Sequence, residues 1–176
     1  MTLSEALQQV ARLLNSGQAD AAAGLCGQIL EVAPDNVDAI HFSGIAAAQK
    51  GDREKAIASF RRALELQPGA AAIHNNLGNA LREEKRYVEA EKCFERALEL
   101  NPRFPDALNN LWIVYKAQNR SGEALDCFRK ALALAPGFAD AHNNLGAVLT
   151  DMDRYEEAAA SFGRALEIQP DFPEVY

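Results

Sequence analysis

The sequence predicts an all-α fold of stacked helix-turn-helix units, and three observations predict it. Prolines recur every 34 residues, at Pro34, Pro68, Pro102, Pro136 and Pro170. Small and aromatic residues keep the same step: Ala22, Ala56, Ala90, Ala124 and Ala158 in one register, Phe60, Phe94, Phe128 and Phe162 in a second, and Ala63, Ala97, Ala131 and Ala165 in a third. Within a period, apolar residues fall three and four apart, the spacing of one helix face. A fixed period of this length marks a repeat array, in which each unit buries its apolar side against its neighbours.

The units follow in order. Residues 3–36 form the first and least regular one, with Val10 at the register of Gly44, Gly78 and Gly146, Cys26 at the phenylalanine register and Ile29 at the third alanine register. An atypical terminal unit suits a capping role. Residues 37–70 are the second unit. Residues 71–104 show the pattern most fully: Ile73, Leu77, Ala80 and Leu81 make one helical stripe, and Tyr87, Ala90, Phe94, Ala97 and Leu98 make another after the polar break Glu83-Glu84-Lys85-Arg86. Pro102 lacks an amide hydrogen and biases Asn101 away from helical dihedrals, which ends the second helix. Gly78 and the alanines allow close approach of the paired helices, with Phe94 filling the gap between them. Residues 105–138 place Trp112 at the glycine register, so either the two helices spread or the indole turns toward a neighbouring unit. Residues 139–172 are the fifth unit, and residues 173–176 begin a further, truncated one.

This order of residues resembles the tetratricopeptide repeat family, through Leu77-Gly78, Ala90, Phe94, Ala97 and Pro102 and again through Leu145-Gly146, Ala158, Phe162, Ala165 and Pro170. The resemblance covers about residues 3 to 172. It implies a right-handed α-solenoid whose first helices line a concave groove while the second helices lie outside.

Composition narrows the partners. The chain has 25 acidic against 18 basic side chains, a formal net charge of -7, so it lacks the basic footprint that duplex nucleic acid requires. Neither a secretory leader nor a run long enough to span a bilayer is visible, and no membrane partner is expected. A cytoplasmic location follows as the expectation. Cys26, Cys93 and Cys127 show no paired spacing and fall in apolar helical patterns, as small buried thiols do. His41, His74 and His142 sit in different units without a metal-binding, nucleophile or phosphate-loop motif around them, so this segment is expected to be non-catalytic, without metal or cofactor.

With the core stripe assigned, the free faces of the first helices are the candidate surface. Asn75-Asn76, Asn109-Asn110 and Asn143-Asn144 recur at the repeat period, although asparagine is a mediocre helix former. A carboxamide offers an acceptor and two donors, so a row of them can pair with the backbone of an extended peptide without reading its side chains. The pairs followed by Leu-Gly resemble the tetratricopeptide region of the O-linked N-acetylglucosamine transferases, where the resemblance implies an asparagine ladder that holds peptide backbone. The candidate peptide-binding residues are Asn75, Asn76, Asn79, Asn109, Asn110, Asn143 and Asn144. The competing reading has these amides bonding between adjacent repeats or simply solvated. The pairs stop at residues 37–70, where His41 and Phe42 hold their registers and mark an apolar end to the groove or a local packing variant. Lys50, Arg82 and Lys116 do not form the basic clamp that grips acidic peptide tails, and Asp38, Asp106 and Asp140 read as helix-start charges.

Three functions remain open on this reading. One is an interaction scaffold that binds a protein or extended peptide. Another is the substrate-recruiting arm of a larger enzyme such as a glycosyltransferase. The third is a self-assembling element that associates through its uncapped C-terminal end.

Overall fold

The computed structural model describes residues 2–170 and contains, among them, ten helices and no strand. They are α1 (Leu3–Asn15), α2 (Ala19–Val32), α3 (Val37–Gln49), α4 (Arg53–Leu66), α5 (Ala71–Glu83), α6 (Tyr87–Leu100), α7 (Pro105–Ala117), α8 (Ser121–Leu134), α9 (Ala139–Asp151) and α10 (Tyr155–Ile168). The truncated unit expected at residues 173–176 lies outside the described residues. The chain divides into two compact bodies, residues 1–93 and residues 94–176, with α6 shared between them.

In the first body each helix packs on the next from α1 to α5, and α3 also touches α1 and α5. In the second, α7, α8, α9 and α10 pack in succession, and α7 also touches α9. Each body is thus a stack of antiparallel helix pairs, the all-α solenoid class.

The turn prolines act through the residue before them. Ala33, Gln67 and Ala135 close α2, α4 and α8 at φ near -137° and ψ between 74° and 77°, outside the helical region. Asn36 and Asp52 start α3 and α4, accepting from the amides of Ala39 and Lys55 at 2.8 and 3.3 Å. Thr2 and Glu5 close a reciprocal capping box on α1. The turn inside each helix pair holds one residue at positive φ: Gly17, Gly51, Lys85, Asn119 and Asp153, again 34 apart.

The glycine register works by contact with the phenylalanine register. A Cβ added to Gly44 would sit 2.5 Å from the Phe60 ring, and one at Gly146 would sit 2.6 Å from the Phe162 ring. In the first helix pair the sizes are exchanged: Val10 and Cys26 replace glycine and phenylalanine, and both are fully buried in one cluster with Ala6, Leu14, Ala22 and Ile29. That exchange approximately conserves volume and keeps the atypical unit packed. Trp112 has no such compensation. Its indole stays half-buried, with the Lys116 ammonium 5.3 Å above the ring, and α7 meets α8 less extensively than α3 meets α4 or α9 meets α10.

Candidate functional site

The first helices of the pairs, α1, α3 and α5 in one body and α7 and α9 in the other, carry the candidate asparagines. Their environments differ more than their registers suggest. Asn75, Asn110 and Asn143 are the buried polar side chains among the described residues, at 5, 9 and 8% exposure. Asn76, Asn79, Asn109 and Asn144 are half-buried. Asn75 and Asn143 share a register, whereas Asn110 belongs to the neighbouring one. The exchange occurs in α7, the helix that carries Trp112.

In the first body the structure brings Asn76 to His41 of the preceding helix pair. The Asn76 amide donates to His41 Nε2 at 2.8 Å. The imidazole must therefore accept at Nε2 and carry its proton at Nδ1. Its ring stacks on Phe42 at 5.9 Å and meets the edge of Phe60 at 5.8 Å. Burial holds the His41 pKa below its usual value, and the Asp38 carboxylate only partly opposes that. At this position an amide does bond between adjacent repeats.

Beside that bond lies a cavity of about 250 Å³, lined by Ile45 and Gln49 of α3, Arg53 and Phe60 of α4, and Asn76 and Asn79 of α5. Arg53 Nε donates to Glu83 Oε2 at 3.0 Å at its edge. Asn79 Oδ1 is buried without a hydrogen-bond partner among the described residues, and in the second body so is Asn143 Oδ1. Buried amide oxygens are nearly always bonded, so each of these acceptors is suited to an incoming donor.

The other titratable residues are largely engaged within the fold. Lys50 pairs with Asp20 at 2.5 Å and Lys116 with Asp151 at 2.7 Å. His74 and His142 donate from Nε2 to the carbonyls of Pro68 and Pro136, both at 2.9 Å, tying each helix start to the preceding proline turn. Asp153 accepts from the Tyr155 hydroxyl and Glu157 pairs with Arg154, so the acidic turn after α9 is internally satisfied. Cys26 is buried, while Cys93 and Cys127 are half-buried. Burial first, and then the nearby Glu89 and Glu95, push the Cys93 and Cys127 thiols up to about 11.

A second concavity, of about 720 Å³, was foreshadowed only by the break in the asparagine register. Leu3, Leu7, Gln8 and Ala11 of α1 form one wall, and Asp38 and Phe42 of α3 form the other.

Tandem helix pairs with this glycine–phenylalanine packing define a helical repeat protein. The Tetratricopeptide repeat model matches residues 71–104 and 139–172, and a second TPR repeat model matches residues 44–84 and 114–153. The chain belongs to the tetratricopeptide repeat family. Among curated proteins it is 33% identical over 70 residues to an FK506-binding protein-like protein of Mus musculus, covering 40% of this chain and 20% of that one. It is 32% identical over 65 residues to a probable biofilm formation methyltransferase, WspC, of Pseudomonas putida, covering 37% and 15%. The chain therefore spans a fifth or less of these relatives. Among solved structures, MamA superposes with a TM-score of 0.75 at 24% identity, covering 97% of this chain and 96% of that one. Pseudomonas aeruginosa pilF gives 0.78 at 23% identity, covering 93% and 75%. YrrB, described as a TPR protein with an unusual peptide-binding site, gives 0.67 at 23% identity, covering 94% and 86%. At these identities the likeness is one of fold. No described helix is long and apolar enough to cross a membrane.

Proposed function

We propose that this chain is a protein-interaction scaffold that holds an extended peptide against the first helices of its repeats. The observation that carries the reading is the pair of buried, unpartnered amide oxygens, Asn79 Oδ1 and Asn143 Oδ1, one in each body and both on first helices. Peptide N–H groups are the donors such acceptors suit, and they are available from any sequence. Asn109 and Asn144 present further half-buried amides beside them, and Asn76, whose NH2 group is bonded to His41, offers its carbonyl oxygen. Asn75 and Asn110 lie deeper and position the helices as well as any ligand. The peptide-binding description of YrrB supports the same assignment.

The repeat units are assigned to residues 3–36, 37–70, 71–104, 105–138 and 139–172, each holding one helix pair, and the segment is assigned a non-catalytic role in the cytoplasm. The curated relatives, in which the matched stretch is a minor part of a longer protein, favour recruitment of a partner to another domain as the second reading.

The test begins with peptides selected from a random display library against the intact chain. Asn76→Ala with Asn79→Ala in one variant, and Asn143→Ala with Asn144→Ala in another, should each weaken the selected peptides about thirtyfold, from loss of two hydrogen bonds worth about 1 kcal/mol each. N-methylation of peptide amides should reproduce the loss. Affinities unchanged in both variants would remove the backbone-holding role.

A further inference from the structure

The groove between α1 and α3 differs in chemistry from the amide-lined cavity beside α5. At the registers where the three later units carry paired asparagines, this one presents His41 and Phe42. His41 is turned into the fold by Asn76 and Phe60, whereas Phe42 lines the groove opposite Leu3, Leu7 and Ala11. Leu3, Leu7 and Ala11 are four apart and so form one stripe on α1, about 12 Å long at 1.5 Å per residue. Leu3 is 48% exposed, a large apolar side chain without full cover. An extended segment of about four residues matches that length.

Among the described residues that line this groove, the charged side chain is a carboxylate, Asp38. Residues 1–49 hold Glu5, Asp20, Glu31, Asp35 and Asp38 against one side-chain cation, Arg12. Asp20 and Asp35 are neutralised by Lys50 and Arg62 from elements further along the chain. Glu5 is occupied with the α1 cap. Asp38, which lines the groove, forms no ion pair among the described residues. An apolar floor beside a carboxylate that has no ion-pair partner is complementary to a cationic, apolar ligand and repels an acidic one.

We propose that the α1/α3 groove takes an extended, basic peptide segment, with alternate apolar side chains seated on Leu7, Ala11 and Phe42 and a lysine or arginine directed to Asp38. This rests on the peptide-binding reading above and deepens it. The amides near α5 hold backbone, while the α1/α3 groove supplies side-chain selectivity within the same body.

The experiment uses the intact chain and three synthetic peptides of equal length in fluorescence anisotropy: alternating Leu and Lys, alternating Leu and Glu, and alternating Ser and Lys. The Leu–Lys peptide should bind at least about tenfold more tightly than either control, the effect of seating one or two apolar side chains without charge repulsion. Phe42→Asn, which continues the asparagine register, and Leu7→Ser should each weaken it about tenfold. Asp38→Lys, at an exposed position, should weaken the Leu–Lys peptide and strengthen the Leu–Glu peptide while leaving the helical circular dichroism unchanged. Equal binding of the Leu–Lys and Leu–Glu peptides would overturn the proposal, as would indifference of the Leu–Lys peptide to both Phe42→Asn and Asp38→Lys. A dimer in sedimentation that Phe42→Asn converts to monomer would assign the groove to a second copy instead. Binding of anionic-lipid vesicles that is lost in Phe42→Asn would assign it to a membrane. Display-selected peptides that depend on Asn76 and Asn79 but not on Phe42 or Asp38 would overturn this inference and leave the broader function standing.

Discussion

Two glycines in one register stand at different risk because their partner rings differ in freedom. Phe60 is fully buried, so a methyl group at Gly44 finds a ring that cannot move aside, whereas Phe162 is half-buried and can swing. Gly44→Ala should therefore cost about 2–3 kcal/mol and Gly146→Ala about 1 kcal/mol or less, measured as the difference in urea unfolding midpoints. A larger loss at Gly146 would show that the half-buried Phe162 ring is held in place. Lys85 presents the opposite case. It sits at φ 59°, at the register where Gly17 and Gly51 adopt the same left-handed turn. The side chain there costs about 1–2 kcal/mol, only part of which glycine returns through unfolded-chain entropy. Lys85→Gly should stabilise the chain by about 0.5–1 kcal/mol and raise the melting temperature by a few degrees.

At the scale of the element, each helix has its own start and stop signals, and the caps are unevenly distributed. Asn36 caps α3 through a 2.8 Å bond to the Ala39 amide, but α5, α7 and α9 have no side-chain cap bond at their N-termini. Asn36→Ala should therefore remove about 1 kcal/mol and speed amide exchange in the first turn of α3. The same substitution at Phe104 should leave the first turn of α7 unaffected by cap loss, because that residue makes no such bond. Helix pairing was legible in the sequence because it depends on short-range spacing: stripes at three and four residues, a break, then a proline. The left-handed turn position was not, because Gly17, Gly51, Lys85, Asn119 and Asp153 share a conformation without sharing a residue type.

At the scale of the molecule, stability carries a pH signature from His41. Burial holds its folded pKa below the ordinary value for histidine, so the unfolded chain binds the extra proton more readily. Stability from this residue is full above that value and is lost as pH falls through the lower folded pKa. Protonation also removes the Nε2 lone pair that accepts from Asn76, and of the charged groups near the ring only Asp38 opposes the shift. Unfolding midpoints measured on the acid side of pH 6.5 should fall less in His41→Asn than in the parent chain. A parallel fall in both would assign the acid sensitivity to the carboxylates. Burial holds Cys93 and Cys127 as thiols well above neutral pH, so both should react slowly with a maleimide until the chain is unfolded.

The sequence by itself determined the repeat period, the helix pairs and the glycine–phenylalanine contacts. Each depends on residue size, backbone freedom or polarity at a fixed spacing, and those properties can be read one residue at a time. Only the tertiary structure decided which amide of each pair is buried, that Asn76 is taken by His41, and that Val10 and Cys26 exchange the volumes of glycine and phenylalanine. Those outcomes depend on how far each helix rotates against its neighbours. That rotation is set by close packing among side chains distant in sequence, so identical registers reach different environments.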